Sequence, residues 1–142
     1  MKSRRMLIAH PDDSQVKSLS TFFQGRGYRI DTAMIVSDII RKVRANNIPV
    51  ILLDDEVEGI KASDLVSLIK KINSKVQVIV TSSGGSLGLL KRLRGAGIFY
   101  QAMKPIDLEE IGSAVDCAFQ KVERESSKEG FFSFFAPELV PA

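Results

Sequence analysis

Three residues carry the clearest chemical signal in this sequence. Asp54 closes the unalternated apolar run Val50-Ile51-Leu52-Leu53, Thr81 closes a second run, Val78-Ile79-Val80, and Lys104 follows Ile98-Phe99-Tyr100-Gln101-Ala102. A carboxylate, a hydroxyl and an ammonium gathered at one edge suit phosphoryl transfer. The carboxylate can attack phosphorus while the cation and the hydroxyl stabilise charge on the equatorial oxygens. Each residue alone has an ordinary reading: Asp caps loops and helices, Thr is a good strand former, and Lys is usually solvated. Their joint placement favours the chemical reading.

That placement depends on the elements between them. Apolar runs of strand length alternate with longer segments of helical period. Residues 4–9 read as a first strand, and 14–25 as a helix with Val16, Leu19, Phe22 and Phe23 on one face. A strand over 28–32 precedes a helix carrying Ile35, Ile39, Ile40 and Val43, which stops at Asn46-Asn47. Residues 50–53 lack alternation, as a central strand buried on both faces should. A helix over 63–72, with Leu65, Leu68, Ile69 and Ile72 inward, leads to a strand over 76–80. A loop of Ser and Gly, a short helix over 87–94 and a fifth strand over 98–102 follow. Asp107 can cap a last helix with Glu109 and Glu110 in its first turn, running to about Arg124 with Cys117 as a small buried residue. Five such units imply a parallel sheet covered by helices on both faces, with ligands at the carboxyl ends of the strands. Those ends are His10-Pro11-Asp12-Asp13, Asp54-Asp55-Glu56, Thr81-Ser82 and Met103-Lys104-Pro105.

Composition excludes several alternatives. The 142 residues, 44% hydrophobic and 26% charged, suit one compact domain. No apolar run approaches the roughly 20 residues of a membrane-spanning helix, and the basic start gives way too soon to acids to be a secretory signal. A single cysteine permits neither an intrachain disulfide nor a cysteine-rich metal site, so a cytoplasmic protein is expected. The net charge of +3 is spread as acids at 12–13 and 54–58 against bases at Arg41, Lys42, Arg44, Lys91, Arg92 and Arg94. That is not the concentrated basic surface of a nucleic-acid binder.

The five-unit order resembles the receiver domain of two-component response regulators, from about residue 5 to residue 120. The residues carrying the resemblance are the run ending in Asp54, Gly59 after it, Val78-Ile79-Val80-Thr81-Ser82, Gly95-Ala96-Gly97, Lys104-Pro105 and Gly27-Tyr28. The resemblance implies a flavodoxin-like, doubly wound α/β fold: a five-stranded parallel sheet of order 2-1-3-4-5 with five helices. It implies Asp54 as phosphoacceptor, Thr81 as a switch hydroxyl and Lys104 as the phosphoryl-contacting cation, ahead of a cis Pro105. It also implies Mg²⁺, a sensor histidine kinase or phosphotransfer protein as donor, a downstream protein target, and a homodimer through the fourth helix, fifth strand and fifth helix. The expected domain covers 1–124, and 125–142 form a polar linker and Phe-rich tail too short for an output domain. A stand-alone bacterial receiver in a phosphorelay is therefore expected, with no enzymatic activity beyond self-phosphorylation and dephosphorylation at Asp54.

The chain departs from the family pattern where chemistry is most exacting. The adjacent acids that help hold Mg²⁺ fall on His10 and Pro11, which leaves Asp12, Asp54 and the backbone carbonyl of Glu56 as metal candidates and makes binding weak or absent. His10, the only histidine, reads as a strand-end residue filling the space of the missing acid. The aromatic position three residues before Lys104 is Gln101, and alternation puts Gln101 and Phe99 on one side of the strand with Tyr100 on the other. Asp55 adds a charge that either recruits a cation or repels phosphate. Two further readings are a phosphorylation-independent binding module and a flavodoxin-like cofactor-binding enzyme using Ser82-Ser83-Gly84-Gly85-Ser86 as a phosphate loop. The loop lacks the Lys and spacing of a Walker motif and follows the wrong strand for a flavin phosphate, so a connector is expected. Phe131, Phe132, Phe134 and Phe135 cluster as anchors do, for a partner or for the domain itself.

Overall fold

The computed structural model describes residues 4–45 and 47–135, with side chains described through residue 127. In chain order the elements are β1 (Arg5–Ala9), α1 (Asp13–Gly25), β2 (Arg29–Ala33), α2 (Val36–Ala45), β3 (Val50–Asp54), β4 (Glu56–Val57), β5 (Ile60–Lys61), α3 (Ala62–Ile72), β6 (Gln77–Ser82), α4 (Leu87–Ala96), β7 (Tyr100–Met103) and α5 (Leu108–Phe135). The main sheet is parallel in the order β2-β1-β3-β6-β7, the expected 2-1-3-4-5 once the small β4-β5 hairpin is set aside. The fold is thus flavodoxin-like, with five helices about a five-stranded sheet.

Strand parity divides the core. Leu7, Ile51, Leu53, Val78 and Val80 face a layer built with Ile39 and Val43 of α2, Leu65 and Ile69 of α3, and Leu93 of α4. Met6, Ile8, Val50, Leu52 and Ile79 face the other way, onto Leu19 and Phe23 of α1 and Ile111, Val115 and Phe119 of α5. All five residues of β3 are buried, which explains its lack of alternation. Glycine ends the helices where the chain must turn back: Gly97, with φ +97°, caps α4, and Gly27, with φ +91°, follows α1.

At the amino ends of the strands, Arg4 fixes α5. Its guanidinium donates to both carboxylate oxygens of Glu123, at 3.1 and 3.0 Å, and lies 5.4 Å over the Phe119 ring, which itself stacks on Tyr28. A bidentate pair resting on an aromatic face is held in place more firmly than an ordinary surface ion pair.

Several expectations need correction. Leu68 and Ile35 are exposed, and Val66 and Ala62 take the inward positions of α3. Cys117 is exposed, because it lies off the stripe formed by Ile111, Ala114, Val115, Ala118 and Phe119. Phe99 precedes the regular strand and packs with the α1 and α5 layer, its ring beneath Lys121 of α5, so simple alternation does not apply to it. The last helix does not stop near Arg124: α5 continues to Phe135, so residues 125–135 are helical. The side chains of the Phe cluster and all of 136–142 lie outside the described residues. Among the described residues no helix is long and apolar enough to cross a membrane.

Leu53, wholly buried on the central strand, tests the core. Leu53→Ala should lower the unfolding free energy by about 2–5 kcal/mol, read as a lower urea midpoint with little change in slope.

Candidate functional site

Register and parity bring the site together. Asp54 on β3 pairs with Thr81 on β6, and Thr81 with Ala102 on β7. Ala9 pairs with Leu53, so His10, one residue on, is level with Asp54. Asp54 is two residues beyond Leu52, Thr81 two beyond Ile79, His10 two beyond Ile8 and Lys104 two beyond Ala102, all of which face α1 and α5. A side-chain period of two therefore puts His10, Asp54, Thr81 and Lys104 on one face of the sheet at its carboxyl edge. The amide of Lys104 donates to the Ser82 carbonyl at 2.8 Å, extending the ladder past the end of β7, and the following Lys104-Pro105 bond is cis, as expected.

Asp54 is only 5% exposed, and three side chains meet its Oδ1. Lys104 Nζ lies 2.5 Å away, His10 Nε2 3.3 Å and Thr81 Oγ1 3.4 Å. The backbone N–H of Asp12 donates to His10 Nδ1 at 3.0 Å, so that nitrogen carries a lone pair and the ring proton sits on Nε2, facing Asp54. Burial lowers the His10 pKa, which outweighs the pull of Asp54 and keeps the imidazole neutral. Nε2 of a neutral imidazole therefore faces Asp54 at 3.3 Å, a polar contact with no positive charge. Lys104 moves the other way: burial would lower its pKa, but its contacts with Asp54 and Asp55 prevail and raise it.

Asp55, just past the end of β3, shares Lys104 with Asp54 and reaches the loop after β6, partners that residue type and spacing alone did not show. Its Oδ2 accepts from the Ser83 amide at 3.2 Å and the Ser83 hydroxyl at 3.3 Å, and its Oδ1 lies 3.5 Å from Lys104 Nζ. Burial alone would raise the Asp55 pKa, yet the Ser83 amide and Lys104 hold it below the ordinary value.

The serine-glycine loop is occupied by these internal bonds. The Gly84 amide donates to Ser82 Oγ at 3.1 Å, the Ser83 amide is taken by Asp55, and Ser86 caps α4 through the Leu89 amide at 3.1 Å. The loop is a connector, as expected, rather than an open phosphate cradle. Gln101 is half-buried in β7, while Tyr100 is exposed and donates to Glu110 at 2.6 Å. Pro11 is exposed beside His10.

A doubly wound sheet of this order, with a buried acid at its carboxyl edge beside the reversal in strand order, is the flavodoxin-like class of α/β architecture. Comparison with known proteins agrees. The chain belongs to the response regulator receiver domain family, which matches residues 6–116. Over 118 residues it is 27% identical to sporulation initiation phosphotransferase F of Bacillus subtilis, covering 81% of this chain and 93% of that protein. It is 22% identical to the transcriptional regulatory protein GlrR of Escherichia coli over 84% of this chain, a segment that is 27% of GlrR. In structure it is similar to a CheY-like receiver domain protein from Methanospirillum hungatei, with a TM-score of 0.82, 18% identity and coverage of 87% and 99% of the two chains. The beryllofluoride-activated NtrC4 receiver domain dimer gives a TM-score of 0.78 at 25% identity, covering 84% of this chain and 98% of that one. The chain is thus a receiver domain of two-component signalling.

Receiver domains in general bind Mg²⁺ at an acidic site. The residues present here do not fit that ion. Asp12 is committed to capping α1, its Oδ1 accepting from both the amide and the hydroxyl of Ser14 at 2.9 Å. Glu56 stands on the β4-β5 hairpin with its side chain turned to solvent, and the lone pair of His10 Nδ1 is taken by the Asp12 amide. Among the described residues no group of three or more acids, histidines or cysteines is placed to hold a metal. Mg²⁺ wants six hard oxygens in octahedral array, which an N–H donor and an ammonium on the same carboxylate oxygen oppose.

Two outcomes follow. Long-range ¹H–¹⁵N correlation of the imidazole at neutral pH should show Nδ1 unprotonated and Nε2 protonated; an Nδ1–H signal would contradict this geometry. Millimolar Mg²⁺ should leave the amide signals of Asp54, Asp55 and Ser82 unmoved, and saturable shifts there would show that the site accepts the ion.

Proposed function

We propose that this domain is an atypical receiver in which Asp54 accepts a phosphoryl group inefficiently and the signal leaves by protein contact. The observation carrying the reading is the convergence of Lys104, His10 and Thr81 on Oδ1 of the buried Asp54. Because those donors meet Oδ1, Oδ2 is the oxygen for bond formation. In transfer from the phosphohistidine of a sensor kinase or phosphotransfer protein, a carboxylate electron pair forms the O–P bond as the P–N bond breaks, and the electrons of that bond return to the departing imidazole. Lys104 faces the charge on the equatorial oxygens, and the Thr81 hydroxyl can turn to donate to one of them. The name of the Bacillus subtilis relative, a phosphotransferase, supports a place in a relay.

The inefficiency follows from charge. Lys104 is shared between Asp54 and Asp55, and His10 supplies a proton but no positive charge. An incoming phosphoryl group meets two carboxylates against one ammonium. A second reading, a phosphorylation-independent binding module, is favoured by the same His10 contact, since it satisfies the acid with no metal. For output, α4, β7 and α5 expose Leu87, Tyr100, Met103 and Leu108, a surface suited to a protein target or a second copy. The dimer named for the NtrC4 receiver supports the latter. Cytoplasmic work with a bacterial kinase is typical of receiver domains and belongs to the same proposal.

Incubation with acetyl phosphate followed by intact-mass measurement tests the assignment. The wild type should gain one phosphoryl group slowly, Asp54→Asn none, and Lys104→Ala at least about tenfold less than wild type, the cost of losing a charge-assisted contact in the transition state. A folded wild type that gains nothing would leave the binding-module reading in its place.

A further inference from the structure

We infer that Asp55 is a resident anion: its carboxylate fills an oxyanion receptor made by Lys104 Nζ, the Ser83 amide and the Ser83 hydroxyl, and so holds the loop after β6 against the site without any phosphoryl group. The three donors come from two elements, the end of β7 and the β6-α4 loop, and meet one carboxylate on a third, the end of β3. An ammonium on one oxygen of a carboxylate and an amide and a hydroxyl on the other are a donor set of the kind that binds phosphate oxygens elsewhere. Here a covalently tethered carboxylate reaches them at no cost in translational freedom, which gives it a high effective concentration over any free anion.

The surroundings fit an anion receptor. Beside it lies a cleft of about 310 Å³, lined by the acids Asp55 and Glu56, the bases Lys61 and Arg92, and Ser83 and Ser86. With Asp55 in place the two acids match the two bases; if Asp55 is removed, Lys61 and Arg92 face Glu56 alone, and the cleft gives a free oxyanion room to enter. Asp55 is also fixed through its backbone, its carbonyl accepting from the Ala62 amide at 2.9 Å at the start of α3. The main chain that carries the carboxylate is thereby tied to the turn that begins that helix. Lys104 is held between two acids, so a phosphoryl group on Asp54 has to draw it away from Asp55. That last consequence rests on the reading of Asp54 as acceptor, whereas the receptor itself does not.

The test uses the full chain labelled with ¹⁵N, as wild type, Asp55→Ala and Asp55→Asn, with amide exchange at Ser83 measured by NMR in the absence and presence of inorganic phosphate. The Asn variant keeps the size and one acceptor oxygen, so a misfolded Ala variant does not remove the test. In wild type, Ser83 should exchange slowly and phosphate should change nothing. In Asp55→Ala, exchange should rise about tenfold, as loss of a hydrogen bond to a charged group requires, and in Asp55→Asn by a smaller factor. In both variants millimolar phosphate should slow Ser83 again and shift residues 82–86. Unchanged exchange in both variants, failure of phosphate to restore protection, or equal phosphate shifts in wild type would each overturn the inference. With acetyl phosphate, both variants should label Asp54 at least severalfold faster than wild type. If no form of the protein is labelled, the acceptor reading fails, and Ser83 exchange still decides the role of Asp55.

Discussion

A carboxylate taken out of water governs the carboxyl edge of this sheet. A charged group as buried as Asp54 is costly unless hydrogen bonds and an opposite charge replace its hydration. The replacement comes from three separate strand ends: His10 after β1, Thr81 on β6 and Lys104 after β7. None of these is near Asp54 in sequence, so the compensation exists only when the parallel sheet has formed in the right register. A slip of one residue in any pairing would turn that donor to the opposite face. The apolar layers that fix the register, with Val50 and Leu52 on one side and Ile51 and Leu53 on the other, therefore also fix the electrostatics of the edge.

His10 changes what that edge can do. It sets a neutral N–H, whose proton is placed by the bond that Nδ1 accepts from the Asp12 amide, against Asp54 at 3.3 Å, beside the ammonium of Lys104 and the hydroxyl of Thr81. A neutral donor lowers the cost of one buried negative charge but offers little to a second. Asp54 and Asp55 carry two negative charges against the one positive charge of Lys104, so the pocket is balanced for an acid at rest and unbalanced for a phosphoryl group arriving. Stability of the resting state and affinity for the transferred group thus compete for the same ammonium.

Much of this was legible in the sequence because it rests on periodicity. The apolar runs and their order gave the sheet, its topology and the meeting of Asp54, Thr81 and Lys104, since strand parity is a property of spacing alone. The departures at His10, Pro11 and Gln101 were equally visible. What spacing did not reveal was how side chains divide among competing partners. Asp12 was a metal candidate by type, yet it caps α1, because a residue directly before a helix finds unpaired amides within reach. Asp55 was only a surplus charge until the loop after β6 was seen to bring Ser83 to it. The length of α5 was obscured by a polar stretch over 123–130 that matches a linker in composition but contains no proline to stop a helix. Cys117 was misplaced because composition says that cysteine is usually buried, whereas the helical stripe at that turn is already filled by Ala118 and Phe119.

The two ends of the sheet are held by different physics, and this decides where a change at Asp54 can travel. At the amino ends, the Arg4 pair with Glu123 and the stacked rings of Tyr28 and Phe119 join β1 to α5 through many contacts of fixed geometry. At the carboxyl ends, the ties are single hydrogen bonds between side chains and loops: Lys104 to two acids, Asp55 to Ser83, Ser82 to Gly84. Such bonds can be exchanged one at a time without opening an apolar layer, which would cost far more. A new group on Asp54 would therefore be felt first in the β6-α4 loop and at the end of β7, with the body of α5 acting as the fixed reference. The exposed apolar side chains of Leu87 and Met103 stand on those elements, next to the bonds that are easiest to rearrange.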